Sequence, residues 1–220
     1  MFEGIKRLIL SQDWITIVFL LVLTVITVIK YNFSERFTKL FSLSYSDKYY
    51  TDYVKTNPLI LSKFHFLFFF VIFFNISMLI YFAFQVIDPP FFDNNLYSFT
   101  QIFTIVVLYI VIRYFLGFIL GKIFDLHDQQ KQFTFLKLSN LSLLSLLLFP
   151  LLLFLNFSVS SYHNIVITIS IILVVILFLI YYYNLLKKDK INFNNLFYLF
   201  LYLCALEIAP LIVIYKMFVD

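Results

Sequence analysis

Glu207 is the residue whose type and place first imply chemistry. It sits in Tyr202-Leu203-Cys204-Ala205-Leu206-Glu207-Ile208-Ala209-Pro210-Leu211, the centre of the last long apolar stretch of the chain. A carboxylate at mid-bilayer costs about 2.5 to 3.5 kcal/mol on insertion scales, so it calls for a cation, a proton or a ligand. The basic residue placed deep in another apolar stretch is Arg113, in Tyr109-Ile110-Val111-Ile112-Arg113-Tyr114-Phe115-Leu116-Gly117. Arg113 lies nine residues from Lys122 and Glu207 twelve from Asn195. At helical rise those counts correspond to depths of about 13 Å and about 18 Å, an offset that an arginine side chain spans. An intramembrane Arg113–Glu207 pair is therefore expected, because pairing offsets the burial of both charges. The alternative is an Arg113 that snorkels to the headgroups beside a protonated Glu207.

Pro210 follows Glu207 by three residues. Having no N–H, it releases the carbonyl of Leu206 and kinks or unwinds the helix beside the carboxylate. A freed carbonyl next to a carboxylate suits a proton, a sodium ion or a substrate amine, as in the broken helices of transporters; a simple packing kink is the other reading. Gly117 and Gly121 are two of only three glycines, and their four-residue spacing lets helix backbones approach closely in lipid. Ser139, Asn140, Ser142 and Ser145 form a polar stripe in a fourth apolar stretch, and Asn75 and Ser77 lie in the second. They either line a polar cavity or hydrogen-bond between helices.

Other chemistry is poorly represented. His65, His127 and His163 are scattered and none is mid-span, which argues against haem. Asp125, His127 and Asp128 make a weak metal pattern that reads better as a solvated turn. Cys204 is the one cysteine, so no intrachain disulfide forms. The chain carries no phosphate-binding glycine loop, no His-Glu-x-x-His and no nucleophile elbow. No cofactor is implied.

The elements that must position these residues are membrane spans. The chain is 63% hydrophobic and 13% charged, whereas soluble domains have about 25% charged residues, so a soluble fold is excluded. Six stretches approach the length of about 20 residues that crosses the hydrocarbon as helix: 14–29, 64–86, 97–120, 133–156, 165–183 and 196–218. The expected fold is an all-α polytopic bundle of about six transmembrane helices, residues 1–220 forming one integral membrane domain. The first stretch has no small-residue cleavage site after it and reads as a retained helix.

With six spans the connections alternate between two sides. One side collects Lys30, Arg36, Lys39, Lys48, Lys55, Lys63, Lys122, Lys131, Lys137, Lys187, Lys188 and Lys190; the other has Lys6, Arg7 and Lys216. The positive-inside rule makes the first side cytoplasmic and both termini periplasmic. The net charge of +4 is then a topology signal, with no nucleic acid implied. In the cytoplasmic connection 30–63, Phe33, Phe37, Leu40 and Phe41 share a helical face beside Arg36 and Lys39, which predicts an amphipathic segment at the membrane surface.

The run Leu203-Cys204-Ala205-Leu206-Glu207-Ile208-Ala209-Pro210, with the Asn57-Pro58 approach to the second span and the region around Arg113, resembles a family of Bacteroidota inner-membrane proteins that carries a domain of unknown function. The resemblance implies the inner membrane as location and supplies no catalytic residues. The leading functional reading is a non-enzymatic subunit or assembly factor of an envelope complex, with the lipid bilayer and other inner-membrane proteins as partners. Two alternatives remain open: a small transporter or channel using Glu207, Pro210 and Arg113, and a membrane enzyme acting on a lipid or polyprenyl substrate through Arg36, Lys39, His65 or Asp125.

Overall fold

The computed structural model describes residues 13–44, 62–87, 95–123, 127–158 and 162–187. The sixth expected span, with Glu207 and Pro210, lies outside the described residues. Within them the chain is helical with no strand: α1 (Asp13–Asn32), α2 (Ser34–Phe41) with a 3-10 turn behind it (Ser42–Ser44), α3 (Lys63–Ile87), α4 (Leu96–Ile123), α5 (His127–Phe157) and α6 (His163–Lys187). Five of these, all except α2, are long and apolar enough to cross a membrane. The five expected stretches that fall among described residues each become one helix, with α5 beginning six residues earlier than 133.

These residues become helices because lipid leaves the backbone no other partner. Every N–H and C=O must be satisfied inside the segment, which overrides the modest helix propensity of the many Ile, Val and Phe residues. Several hydroxyls in the spans are absorbed by their own helix. Thr27 donates to the Leu23 carbonyl at 2.8 Å, Thr104 to Thr100 at 2.8 Å and Ser170 to Val166 at 2.8 Å. Helix starts carry polar caps: Asn95 Oδ1 accepts from the Ser98 N–H at 2.9 Å, and Ser62 Oγ from the His65 N–H at 3.4 Å. Such caps satisfy N–H groups that the first turn leaves unpaired.

Contacts fix the directions of the helices. Trp14 at the start of α1 meets Tyr81 near the end of α3 at 5.4 Å, and Phe33 just after α1 meets Phe64 at the start of α3 at 5.8 Å, so α1 and α3 are antiparallel. Phe69 and Phe74 of α3 meet Tyr114 and Phe103 of α4 in reversed order. His65 and Asn75 of α3 meet Phe135 and Ser145 of α5 in the same order, so those two are parallel. Alternation brings the end of α1, α2, the start of α3, the end of α4, the start of α5 and the end of α6 to one end of the bundle. That end carries Lys30, Arg36, Lys39, Lys63, Lys122, Lys131 and Lys187.

α3 and α5 form the axis. In α5, 61% of the most apolar window is buried, against 17% in α4 and 22% in α1. Phe64, Phe68, Val71, Ile72, Leu143, Leu144, Leu148 and Leu152 fill the space between the helices. The outer faces of α1, α4 and α6 are bare apolar surface, including Leu20, Ile105, Phe115 and Leu179. In water such faces would aggregate; in hydrocarbon they are solvated.

α2 departs from α1 at Phe33, whose φ of −134° and ψ of 44° break the helix. Its apolar face turns into the bundle: Leu40 and Phe37 are buried, and the Phe37 ring stacks 6.5 Å from Phe68. The opposite face holds the exposed Lys39–Glu35 ion pair at 2.8 Å.

Candidate functional site

The chemistry-bearing residues of the described chain gather in three places. The first is the interface of α3 and α5. Asn75 Nδ2 donates to the Ser145 carbonyl at 2.8 Å and to Ser145 Oγ at 2.9 Å, and Ser145 Oγ donates in turn to the Val71 carbonyl at 3.0 Å. Asn75 and Ser145 are fully buried. Farther toward the basic end, Asn140 Nδ2 reaches the Leu177 carbonyl of α6 at 3.4 Å, and Ser142 bonds back to Leu138 at 2.8 Å. Ser139 is buried in the same stripe. In hydrocarbon each of these groups costs several kcal/mol if left unmet, which is why the amide and hydroxyls meet one another across helices.

The second place is the junction of α2 with α3 and α5. Arg36 Nη2 lies 3.0 Å from His65 Nε2, and Nη1 donates to Ser62 Oγ at 3.2 Å. Because a guanidinium only donates, His65 Nε2 must accept; the ring is neutral and carries its proton on Nδ1. Nδ1 itself is buried with no hydrogen-bond partner among the described residues. The guanidinium packs 4.6 Å from the Phe64 centroid and 5.4 Å from that of Phe135. Planarity and weak hydration suit arginine to such stacking. The sequence names Arg36 and His65 among the residues of one cytoplasmic-face site, but with 29 positions between them it does not predict that they touch; the fold of α2 onto α3 brings them together.

The third place is a pocket of about 50 Å³ between α3, α4 and α5. Arg113, Tyr114 and Gly117 of α4 and Thr134 and Lys137 of α5 line it, with Phe69, Ile72 and Leu141 among its apolar walls. Arg113 stands ten residues before the end of α4 and Lys137 ten residues after the start of α5. α4 and α5 run antiparallel, and Arg113 and Lys137 both line this one cavity. Gly117 and Gly121 are both buried, and a side chain at Gly117 would occupy the cavity.

Lys137 is what sequence reasoning missed. The sequence places Lys137 among the cytoplasmic loop charges and leaves Arg113 as the one deep basic residue. The structure instead puts Lys137 inside α5, with only 8% of its surface exposed. The signal was present, because Lys137 falls four residues inside the apolar stretch beginning at 133. None of Asn75, Ser139, Asn140, Ser142 and Ser145 lines this pocket. The expected partner of Arg113, Glu207, and the kink at Pro210 lie outside the described residues. Asp125 and the side chains of His127 and Asp128 lie there too; among the described residues no group of three potential ligands is placed to hold a metal ion.

No curated protein and no solved structure matches the chain. A family model does match, over residues 15–218, and by that span, which takes in all five described membrane helices and all three sites, the chain belongs to the family defined by a domain of unknown function, DUF4271.

Proposed function

We propose that this multi-pass membrane protein is a non-enzymatic component of the bacterial inner membrane, a subunit or assembly factor of a cell-envelope complex, as the resemblance to Bacteroidota proteins suggests. The observation that carries this reading is the use made of the buried polar groups. The Asn75, Ser145, Asn140 and Ser142 donors spend their hydrogen bonds on neighbouring helices or on their own backbone, while Asn75 Oδ1 and Ser77 Oγ are buried with no hydrogen-bond partner among the described residues. Together these bonds make a scaffold held rigid from within, while the outer faces of α1, α4 and α6 remain available for lipid or for partner helices. The enzymatic alternative finds little support at His65: the imidazole is buried under α2 and its accepting nitrogen is engaged by Arg36.

Purification of the full chain from native membranes in mild detergent tests the proposal. A complex of constant stoichiometry, surviving size exclusion and lost when α4 surface residues such as Ile112 and Phe115 are changed to bulky polar ones, is the expected result. Recovery only as an isolated monomer would overturn it. A transporter reading has one observation in its favour, the two cations facing the pocket. The cavity, however, holds only a few water-sized groups, since a water needs about 10 to 15 Å³ on the same measure.

A further inference from the structure

We propose that α2 is a proton-sensitive latch: it docks on the bundle only while the His65 imidazole is neutral, and acidification at the lysine-rich end releases it onto the membrane surface. This goes beyond the scaffold reading and does not depend on it.

The sensor is a contact that a proton would break. His65 Nε2 lies 3.0 Å from Arg36 Nη2 and has to accept from it, so the docked site has no place for a doubly protonated ring. Of the elements packed against the imidazole, α2 brings Arg36, α5 brings Phe135 at 4.9 Å and α3 itself brings Phe64 at 5.4 Å. Ser62, just before α3, accepts from the His65 N–H at 3.4 Å and from Arg36 Nη1 at 3.2 Å. No carboxylate is among these groups, so a proton on His65 would set a second cation against the guanidinium inside a buried site. Other bonds that Arg36 makes leave this relation unchanged, because both groups at the 3.0 Å contact would still be cations.

α2 is the element with two positions. It leaves α1 at Phe33, where φ of −134° and ψ of 44° break the helix, so rotation at that residue swings α2 without unwinding α1. Leu40 is fully buried in the docked position, and Phe37 stacks on Phe68. In water, undocking would cost that whole burial. Beside a bilayer the same apolar face enters the headgroup boundary, where amphipathic helices rest, and Arg36 and Lys39 meet anionic lipid. The two positions therefore differ by less than the burial suggests, and a single proton is enough to bias them.

His65 is the third residue of α3, beside the exposed Lys63, so undocking opens its ring to the aqueous boundary. There it titrates near its ordinary value of about 6.5. Above about pH 6.5 neither position binds the proton and docking has its full strength; below it the open position alone binds one, and the open-to-docked ratio rises about ten-fold per pH unit.

The test uses the full chain in nanodiscs of anionic lipid, with Cys204→Ser and spin labels on Thr38→Cys in α2 and Lys122→Cys in α4, both exposed positions. Double electron–electron resonance should give one label-to-label distance at about pH 7.5 and a second on acidification, their ratio changing about ten-fold per unit below about pH 6.5. His65→Gln, which keeps an acceptor and cannot titrate, should hold the first distance throughout, with helical circular dichroism unchanged. Identical distance distributions for the protein with native His65 at about pH 7.5 and about pH 4.5 would overturn the proposal without recourse to that variant. A folded His65→Gln chain that keeps the full response would also overturn it, by assigning the proton to another group.

Discussion

At the scale of single residues, the Asn75 amide and the Ser145 hydroxyl donate as lipid dictates, while Asn75 Oδ1 and Ser77 Oγ are buried without a hydrogen-bond partner among the described residues. Asn75 and Ser145 are linked by one amide that serves both the carbonyl and the hydroxyl of its partner. Interhelical hydrogen bonds of this kind are coupled by about 0.6 kcal/mol on average, and at most about 1.7, because the unfolded chain in a bilayer finds other partners. A double-mutant cycle of Asn75→Ala and Ser145→Ala, read by unfolding in mixed micelles, should give a coupling in that range. Zero coupling would show that the two side chains contribute independently. Arg113 leads to a sharper expectation. If it pairs with Glu207, removing either charge costs about 3 to 5 kcal/mol, while replacing both by apolar residues of similar volume is far milder. Refolding yields of the three variants decide this: a double variant as unstable as the sum of the singles rejects the pair. Glu207→Gln that folds normally but loses function, with no rescue by change at Arg113, would instead mark an independent proton or cation site.

At the scale of elements, α2 is where sequence and fold part most instructively. Its amphipathic pattern was legible, since Phe33, Phe37, Leu40 and Phe41 fall on one face whatever covers that face. What covers it was not, because that is decided by Phe64, Phe68 and Phe135 on helices distant in sequence. Five spans were legible because lipid imposes length and apolarity on each separately. Interhelical chemistry, namely Arg36 on His65 and Lys137 beside Arg113, is a property of pairs, and no single-segment pattern records it. An eight-residue helix is too short to persist alone in water, so α2 depends on its docking. Leu40→Ala, which empties a fully buried site, should destabilise by about 2 to 5 kcal/mol. Hydrogen exchange should register this first as lost protection of the α2 amides, with α3 and α5 unaffected. Undiminished protection would mean that Arg36 alone holds the helix.

At the scale of the whole molecule, the alternation of five helices and the distribution of basic residues are separate observations that agree. Ring contacts and hydrogen bonds set the directions of α1, α3, α4 and α5 without reference to charge, and they bring Lys30, Arg36, Lys39, Lys63, Lys122 and Lys131 to one end. At the other end of the described helices Asp13 is the one charged residue. Lysine and arginine close to span ends set orientation during insertion, so the first end is expected in the cytoplasm. Reporter fusions near Lys48, His127 and Lys188 should therefore register cytoplasmic, and one at Asp93 periplasmic. The N-terminus should read periplasmic because α1 begins at the charge-poor end. The C-terminus tests the sixth span separately: a periplasmic reading there requires one more crossing after α6, and a cytoplasmic one would leave Glu207 outside the membrane. That last outcome would remove the reason for expecting Glu207 opposite Arg113, since a carboxylate in water has no burial to offset.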